Sequence, residues 1–402
     1  MACPPDPGGP GRAPPALTLG EILRASLPAY GRAHRLPAQH WKVLNALSRC
    51  RTAALGGHQY RCAHCGREHF APHSCRNRHC PACQGVNSHA WLASQQAVLL
   101  PVPYFHLVFT LPHALNALIA QNQAALYNLL FATAAETLLQ FGRQKFGAQL
   151  GVTAVLHTWG QTLIEHYHLH CIVSGGGLAR DGTQWRRSHP RYLFAVTALS
   201  TVFRAKFCEG LQRLYATGQL QFHGQLQPLA QPAEFQRLVR AATAKDWVVY
   251  SKRPFAGPKQ VLAYLSRYTH RVGISNGRLL AFDPAAATVT FRYRDYADSS
   301  RSKVMTLASA EFLRRLRQHI LPARFVKIRH YGLLANRDRQ TRIASARRLL
   351  GQPEPPAASQ PAALAAPAPA CPHCGKRELV LVRIVQPPRP PMSGLGPALD
   401  SS

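Results

Sequence analysis

The 402-residue chain carries 48 Lys and Arg against 17 Asp and Glu, a formal charge of +31, far beyond what solubility requires. Such an excess selects polyanions as partners, either nucleic acid or an anionic membrane. The longest apolar stretches, such as QAVLLPVPYFHLVFTL, are broken by Pro and His short of the ~20 residues that span a bilayer. The opening MACPPDPGGPGRAPPALTLG lacks the apolar core of a secretory signal. The expectation is a cytoplasmic protein, not membrane-bound, whose partner is nucleic acid.

Residues 1–17 are rich in Pro and Gly and are expected to be disordered. Thr18-Leu-Gly-Glu21 reads as a capping box opening a helix, and AQHWKVLNALSRC as a second helix. A cysteine cluster and a helix near VNSHAWLASQQAVLL complete a unit over 18–100. YFHLVFTL then reads as a strand, followed by a long helical stretch from about His113 to Phe146. GVTAVLHTWG and HYHLHCIVSGGGL are two further strands, the second ended by glycines. Helices are predicted near Ala198–Tyr215 and Glu234–Ala244, then a strand at DWVVYS and a helix at PKQVLAYLSRYTHR. LLAFD, TVTFRYR and KVMTLA read as antiparallel strands, and a helix at Ala308–His319 and the strand RFVKIRHYG close the folded part. Residues 101–350 thus form a second unit, and 351–402 a Pro/Ala-rich tail with a lone Cys-x-x-Cys. Strands mixed with helices without a strict βαβ rhythm imply an α+β fold on an antiparallel sheet.

Five of the 11 cysteines fall between Cys62 and Cys83. Cys62-x-x-Cys65 and Cys80-x-x-Cys83 are separated by fourteen residues, near the spacing of zinc ribbons, in which two knuckles complete a tetrahedral shell. In a reducing cytosol such pairs read as metal sites. Four thiolates with no open position make the zinc structural. Cys75 is the rival ligand, with a small buried residue as its bland alternative. Arg61, Arg67, Arg76 and Arg78 interleave with the cysteines and suit phosphate contact, unless they only solvate a small surface unit. Cys371 and Cys374 supply just two ligands: half of a site, or none.

In a strand, His166, His168 and His170 share one face while Leu169, Cys171 and Val173 face the other. Same-face neighbours lie ~7 Å apart, close enough for two imidazoles to share one ion. The outer two, ~13 Å apart by the same rise, are too distant. In a chain with 20 histidines, the alternative is a row of polar residues at a wet sheet edge. On the helix at PKQVLAYLSRYTHR, Gln260, Tyr264, Arg267, Tyr268 and Arg271 fall on one face, and Val261, Leu262 and Leu265 on another. Two phenols one turn apart beside two guanidiniums suit a phosphodiester; the alternative is ordinary half-buried packing.

Taken together, SCRNRHCPACQG, VPYFHLVFTLPH, HYHLHCIVSGGGL, VLAYLSRYTHRVGISN and KIRHYGLLANR, in this order, resemble the two-tyrosine rolling-circle transposases of the HUH endonuclease superfamily, typified by insertion sequence 91. The resemblance runs from about Tyr60 to Asn336. It implies a zinc-bearing N-terminal unit at 18–100 and a catalytic domain at 101–350 built on a small antiparallel sheet. It implies His168 and His170 as the pair holding a catalytic Mg²⁺ or Mn²⁺, and Tyr264 and Tyr268 as nucleophiles. The third ligand is not fixed by the motif; helix geometry suggests Gln260, with Glu165 and His166 as rivals. Arg76, Arg78, Arg267 and Arg271 are the expected DNA contacts, with single-stranded and duplex DNA at transposon ends as partners.

The implied reaction is a transesterification in which tyrosine attacks phosphorus, leaving a 5′-phosphotyrosine and a free 3′-OH. Alternatives are a plasmid relaxase or replication initiator of the same chemistry, a hydrolytic metallophosphodiesterase, and a zinc-ribbon nucleic-acid-binding protein without catalysis.

Overall fold

The computed structural model describes residues 17–84, 91, 94–96, 98–255, 260–261, 271–352 and 370–388. The fold is α+β, with helices set against antiparallel sheets. Among the described residues no helix is long and apolar enough to cross a membrane. The helices expected near VNSHAWLASQQAVLL and at PKQVLAYLSRYTHR, the latter with Tyr264, Arg267 and Tyr268, lie largely outside the described residues.

Helix α1 (Leu19–Ala33) opens as its sequence predicts: the Glu21 amide donates to Thr18 Oγ1 at 3.3 Å, and the Thr18 amide to the Glu21 carboxylate at 2.6 Å. It packs on α2 (Ala38–Ser48). Strands β1 (Gly57–Cys62) and β2 (Glu68–Pro72) form a hairpin that the sequence reading did not anticipate.

The main sheet is antiparallel and has the order β11-β4-β5-β3-β7, with β3 at Tyr104–Thr110, β4 at Ala148–Trp159, β5 at Glu165–Ala179, β7 at Val249–Phe255 and β11 at Ile328–Gly332. The short β6 (Trp185–Arg187) pairs off this path onto β5. Two-residue alternation decides what each face does. Tyr167, Leu169, Cys171 and Val173 of β5 enter the largest apolar core together with Phe105, Leu107 and Phe109 of β3. Helices cover that face: α3 (Asn116–Gln121), α4 (Gln123–Phe146), α5 (Val196–Ala216) and α6 (Pro232–Thr243). Phe109 stacks edge-on against Phe203 at 5.0 Å, and Phe203 against Trp247 at 5.4 Å, fixing α5 to β3. The predicted single helix over 113–146 is broken at buried Asn122. Its amide donates to Gln221 O at 2.9 Å and its carbonyl accepts from Gln221 N–H at 2.7 Å. The side chain therefore serves a distant backbone in place of continuing the helix.

A second antiparallel sheet has the order β10-β9-β8, from β8 (Leu279–Asp283), β9 (Thr288–Asp295) and β10 (Arg301–Ala308), with α7 (Ser309–Gln318) following. Its core is shared with the N-terminal helices: Val289, Phe291, Phe312 and Leu316 pack with Leu23, Leu27, Leu44 and Leu47. A last helix, α8 (Arg339–Leu349), and strand β12 (Leu379–Val385) lie beyond the predicted elements.

Arg78, expected on a DNA-facing surface, does something else. Its guanidinium donates to Pro322 O at 2.7 Å and to Phe325 O, while His79 Nε2 accepts from Leu321 N–H at 3.1 Å. The residues before Cys80 are thereby pinned to the chain that follows α7. Arg78→Met keeps the aliphatic length but strips two carbonyls of their donor, and stability should fall by on the order of 2 kcal/mol in urea denaturation. Full stability with weakened DNA binding would return Arg78 to the DNA surface.

Candidate metal centres and the histidine face

The cysteines do not assemble as the spacing suggested. The single shell of Cys62, Cys65, Cys80 and Cys83 is replaced by two quartets. One joins Cys50, Cys75, Cys80 and Cys83, and the other joins Cys62 and Cys65 to Cys371 and Cys374. The hairpin explains the partition. Cys62 and Cys65 sit at its tip, whereas Cys50 precedes β1 and Cys75 follows β2 at its open end. A six-residue strand separates the two ends by about 17 Å, too far for one ion.

In the first quartet α2 ends just before Cys50, and the chain leaving β2 brings Cys75 alongside it. The knuckle at Cys80–Cys83 closes with Cys83 N–H on Cys80 O at 3.2 Å. Sulfur separations are 3.5 Å for Cys50–Cys80, 3.6 Å for Cys50–Cys83 and 3.7 Å for Cys75–Cys83. A tetrahedral shell with ~2.3 Å zinc–sulfur bonds sets its sulfurs ~3.8 Å apart, whereas a disulfide needs ~2.05 Å. The donors fit structural zinc. Cys75, placed below the paired cysteines in the sequence reading, is a full member, and Cys50 was missed because it lies far outside the motif.

The other face of the main sheet carries imidazoles. His168 and His170 of β5 lie with His157 of β4 so that one ring nitrogen of each falls within 4.8 Å of the others. His157 stands directly across the β4–β5 ladder from His168. His168 Nδ1 donates to His166 O at 2.9 Å, which leaves its Nε2 lone pair for an ion. His170 Nδ1 lies 2.9 Å from His106 Nε2 on β3, a contact that orients the His170 ring. Burial first, then the charge of His166, pushes His168 down to about 3. Burial with His157 and His168 holds His170 well below the ordinary range. Neutral imidazoles are what a cation requires.

Of the residues weighed as a third ligand, His166, whose ring lies 4.7 Å from that of His168, and Glu165 have other partners. His166 Nδ1 is 3.4 Å from His113 Nε2, and the Glu165 carboxylate accepts from the Tyr167 hydroxyl at 3.1 Å. Gln260 is exposed. The third imidazole, His157, was missed because it comes from the neighbouring strand: only the hairpin register brings it across.

Residues 262–270, with Tyr264, Arg267 and Tyr268, are outside the described part, but both flanks are placed. Val261 is fully buried and packs with Tyr104 and Ile172. Ile172 follows His168 and His170 on the same face of β5. At the other flank, the charge of Arg271 contributes to lowering both His168 and His170, and the Arg271 carbonyl accepts from Lys327 Nζ at 3.2 Å. Arg76 is exposed beside the first quartet and lines a groove of about 600 Å³ with Lys42, Arg49, His58 and His73.

Comparison with known proteins gives two family matches, "Putative transposase" over residues 151–342 and the transposase zinc-binding domain of the insertion sequence 91 type over residues 22–111. Among curated proteins, "Putative transposase y4qJ" of Sinorhizobium fredii is 47% identical over 335 residues, covering 81% of this chain and 83% of that protein. "Transposase for insertion sequence element IS801" of Pseudomonas savastanoi pv. phaseolicola is 31% identical over 294 residues, covering 72% and 68%. No solved structure matches the chain.

Three histidines away from the triad, His319 buried and His79 and His330 half-buried, make stability depend on pH. Burial lowers His79 to about 3, and His319 and His330 to about 4. His319 is held neutral between Thr158 Oγ1 at 3.2 Å and Leu163 O at 3.0 Å. Because the folded values lie below the unfolded ~6.5, the unfolded chain takes up protons first as pH falls. The contribution of these three histidines should be level above pH ~7 and decline from pH ~6.5 toward ~4. In urea titrations His319→Gln should flatten that decline by up to about 1.4 kcal/mol per pH unit; an unchanged slope would show that His319 is not held neutral.

Proposed function

Because the chain belongs to the transposase family of insertion sequences 91 and 801, we propose that its histidine face is the DNA-cutting site and that it works by tyrosine transesterification on single-stranded DNA. A transposase acts on DNA, cleaving and rejoining strands, and this chain carries the zinc-binding domain of its family. The finer reading rests on one observation. The segment with Tyr264 and Tyr268 is bracketed by Val261, seated on the histidine-bearing side of the sheet, and by Arg271, whose charge reaches His168 and His170.

His157, His168 and His170 are the residues that would hold the catalytic ion. Three neutral imidazoles suit a first-row transition ion better than Mg²⁺, whose shell is built from oxygens; of the two ions expected, Mn²⁺ fits better. When bound, the ion supplies Lewis acidity toward a phosphate oxygen. The protein's own groups do the rest. The hydrogen bonds from His168 to His166 O and between His170 and His106 orient the rings. Arg271 and Arg267 offer charge to non-bridging oxygens. The phenol oxygen of Tyr264 or Tyr268 attacks phosphorus, a tyrosine–phosphate bond forms, and the bond to the 3′ oxygen breaks, releasing a free 3′-OH. The phosphodiester energy is retained in the enzyme linkage, so rejoining needs no nucleotide cofactor. Two tyrosines permit two successive cleavages at element ends, the requirement of rolling-circle-like transposition.

His157 separates this site from one with Gln260 as third ligand. His157→Ala should lower Mn²⁺-dependent nicking of a single-stranded oligonucleotide by at least about 100-fold, the upper end of what losing an outer-shell partner costs. His166→Ala should keep most of the activity. Wild-type nicking by His157→Ala, with loss in Gln260→Ala, would move the third ligand to the tyrosine segment.

A further inference from the structure

The second cysteine quartet lies partly outside the matched zinc-binding region: Cys62 and Cys65 fall within residues 22–111, Cys371 and Cys374 far beyond it. We propose that Cys62, Cys65, Cys371 and Cys374 bind a second structural zinc ion, completing a zinc ribbon whose two knuckles come from opposite ends of the chain.

Four independent features converge on it. The sulfurs of Cys62 and Cys374 are 3.7 Å apart and those of Cys65 and Cys371 3.8 Å, the edge of a thiolate tetrahedron around zinc and nearly twice a disulfide bond. Second, the knuckles are copies of one another. Cys62-Ala-His-Cys-Gly-Arg67 and Cys371-Pro-His-Cys-Gly-Lys376 share a pattern and a backbone. Cys62 N–H donates to Arg67 O at 2.9 Å and Cys371 N–H to Lys376 O at 2.7 Å. Gly66 and Gly375 each donate to the first cysteine's carbonyl at 2.9 Å, with φ of 70° and 73°, the left-handed turn that glycine enters freely.

Third, the chain around the knuckles is built to receive the tail. Strand β12 pairs antiparallel with β1 along its length, from Gly57 opposite Val385 to Cys62 opposite Leu379, making β1 the central strand of the order β12-β1-β2. Ala63 N–H extends the ladder to Glu378 O at 2.9 Å. Fourth, Gly56 sits at φ 70° where an added Cβ would stand 2.3 Å from Val385 O; only glycine allows the tail so close. Cys62 and Cys371 are almost fully buried, so each knuckle shields a thiolate of the other.

The distinctive consequence is interdependence. A site shared by two pairs loses its ion when either pair is removed, and removing both costs nothing more. Zinc per full-length chain, by elemental analysis, should be two in the wild type. It should be one in Cys62→Ser/Cys65→Ser, one in Cys371→Ser/Cys374→Ser, and still one in the quadruple variant. On the unaltered chain, alkylation with mass spectrometry should find these four cysteines shielded together and exposed together as zinc is withdrawn by a chelator. Two zinc ions retained in Cys371→Ser/Cys374→Ser, more than one lost from the quadruple variant, or iron in place of zinc would overturn the proposal. So would immediate alkylation of Cys371 and Cys374 in the wild type.

Discussion

The architecture depends on one register, that of β4 against β5. It sets His157 opposite His168 and, through alternation, sends Tyr167, Leu169, Cys171 and Val173 into the helix-covered core. A slip of one residue would carry the imidazoles into that core and the apolar set out of it. Neither exchange is tolerable, so the burial of one face specifies the chemistry of the other. β5 is paired on both sides, with β4 and β3, and the β3 side contributes His106 to orient His170.

Some of the chain's basic side chains hold its own parts together. Arg78 ties the first cysteine quartet to the chain after α7. Arg278 donates to Gly273 O at 3.1 Å, to Arg292 O at 2.8 Å and to Gln161 O in the β4–β5 turn, and burial lowers it to about 10. Lys327 is lowered by burial to about 8 while donating to Arg271 O. A formal +31 therefore overstates the cations that face DNA. These inward charges satisfy carbonyls between sheets, where an apolar residue would leave acceptors unpaired. The zinc-binding unit thus shares a core with the second sheet, while directional ties reach the β4–β5 turn and the chain before β11.

What the sequence made legible was local. The capping box at Thr18, the α+β fold and the strand at 166–178 follow from short-range pattern, whereas the choice of His168 and His170 among the three histidines comes from the family resemblance. What it concealed was set by pairing between distant strands. His157 precedes its partners by one hairpin, and nothing in GVTAVLHTWG distinguishes it from a core histidine until the register is known. The cysteine grouping failed for a related reason: the spacing of Cys62-x-x-Cys65 and Cys80-x-x-Cys83 looked sufficient, but β1 and β2 drive the pairs to opposite ends of a hairpin. A signal for the true partner was present in the shared Cys-x-His-Cys-Gly pattern at 62–66 and 371–375. Family membership removes the relaxase and replication-initiator alternatives at the level of the family, while Tyr264 and Tyr268 are proposed as nucleophiles from the motif that carries them.

The proposal that the histidine face and the tyrosine segment form one transesterification site can be tested at the bond it makes. Its most direct measurement is identification of the amino acid joined to DNA after reaction with a single-stranded element end in Mn²⁺, by digestion and mass spectrometry of the adduct. The expected result is a nucleotide on the phenol oxygen of Tyr264 or Tyr268, linked through the 5′ phosphate, and no adduct when His168 is replaced by Ala. A linkage to any other residue, or cleavage that yields free 5′-phosphate without passing through an adduct, would contradict it.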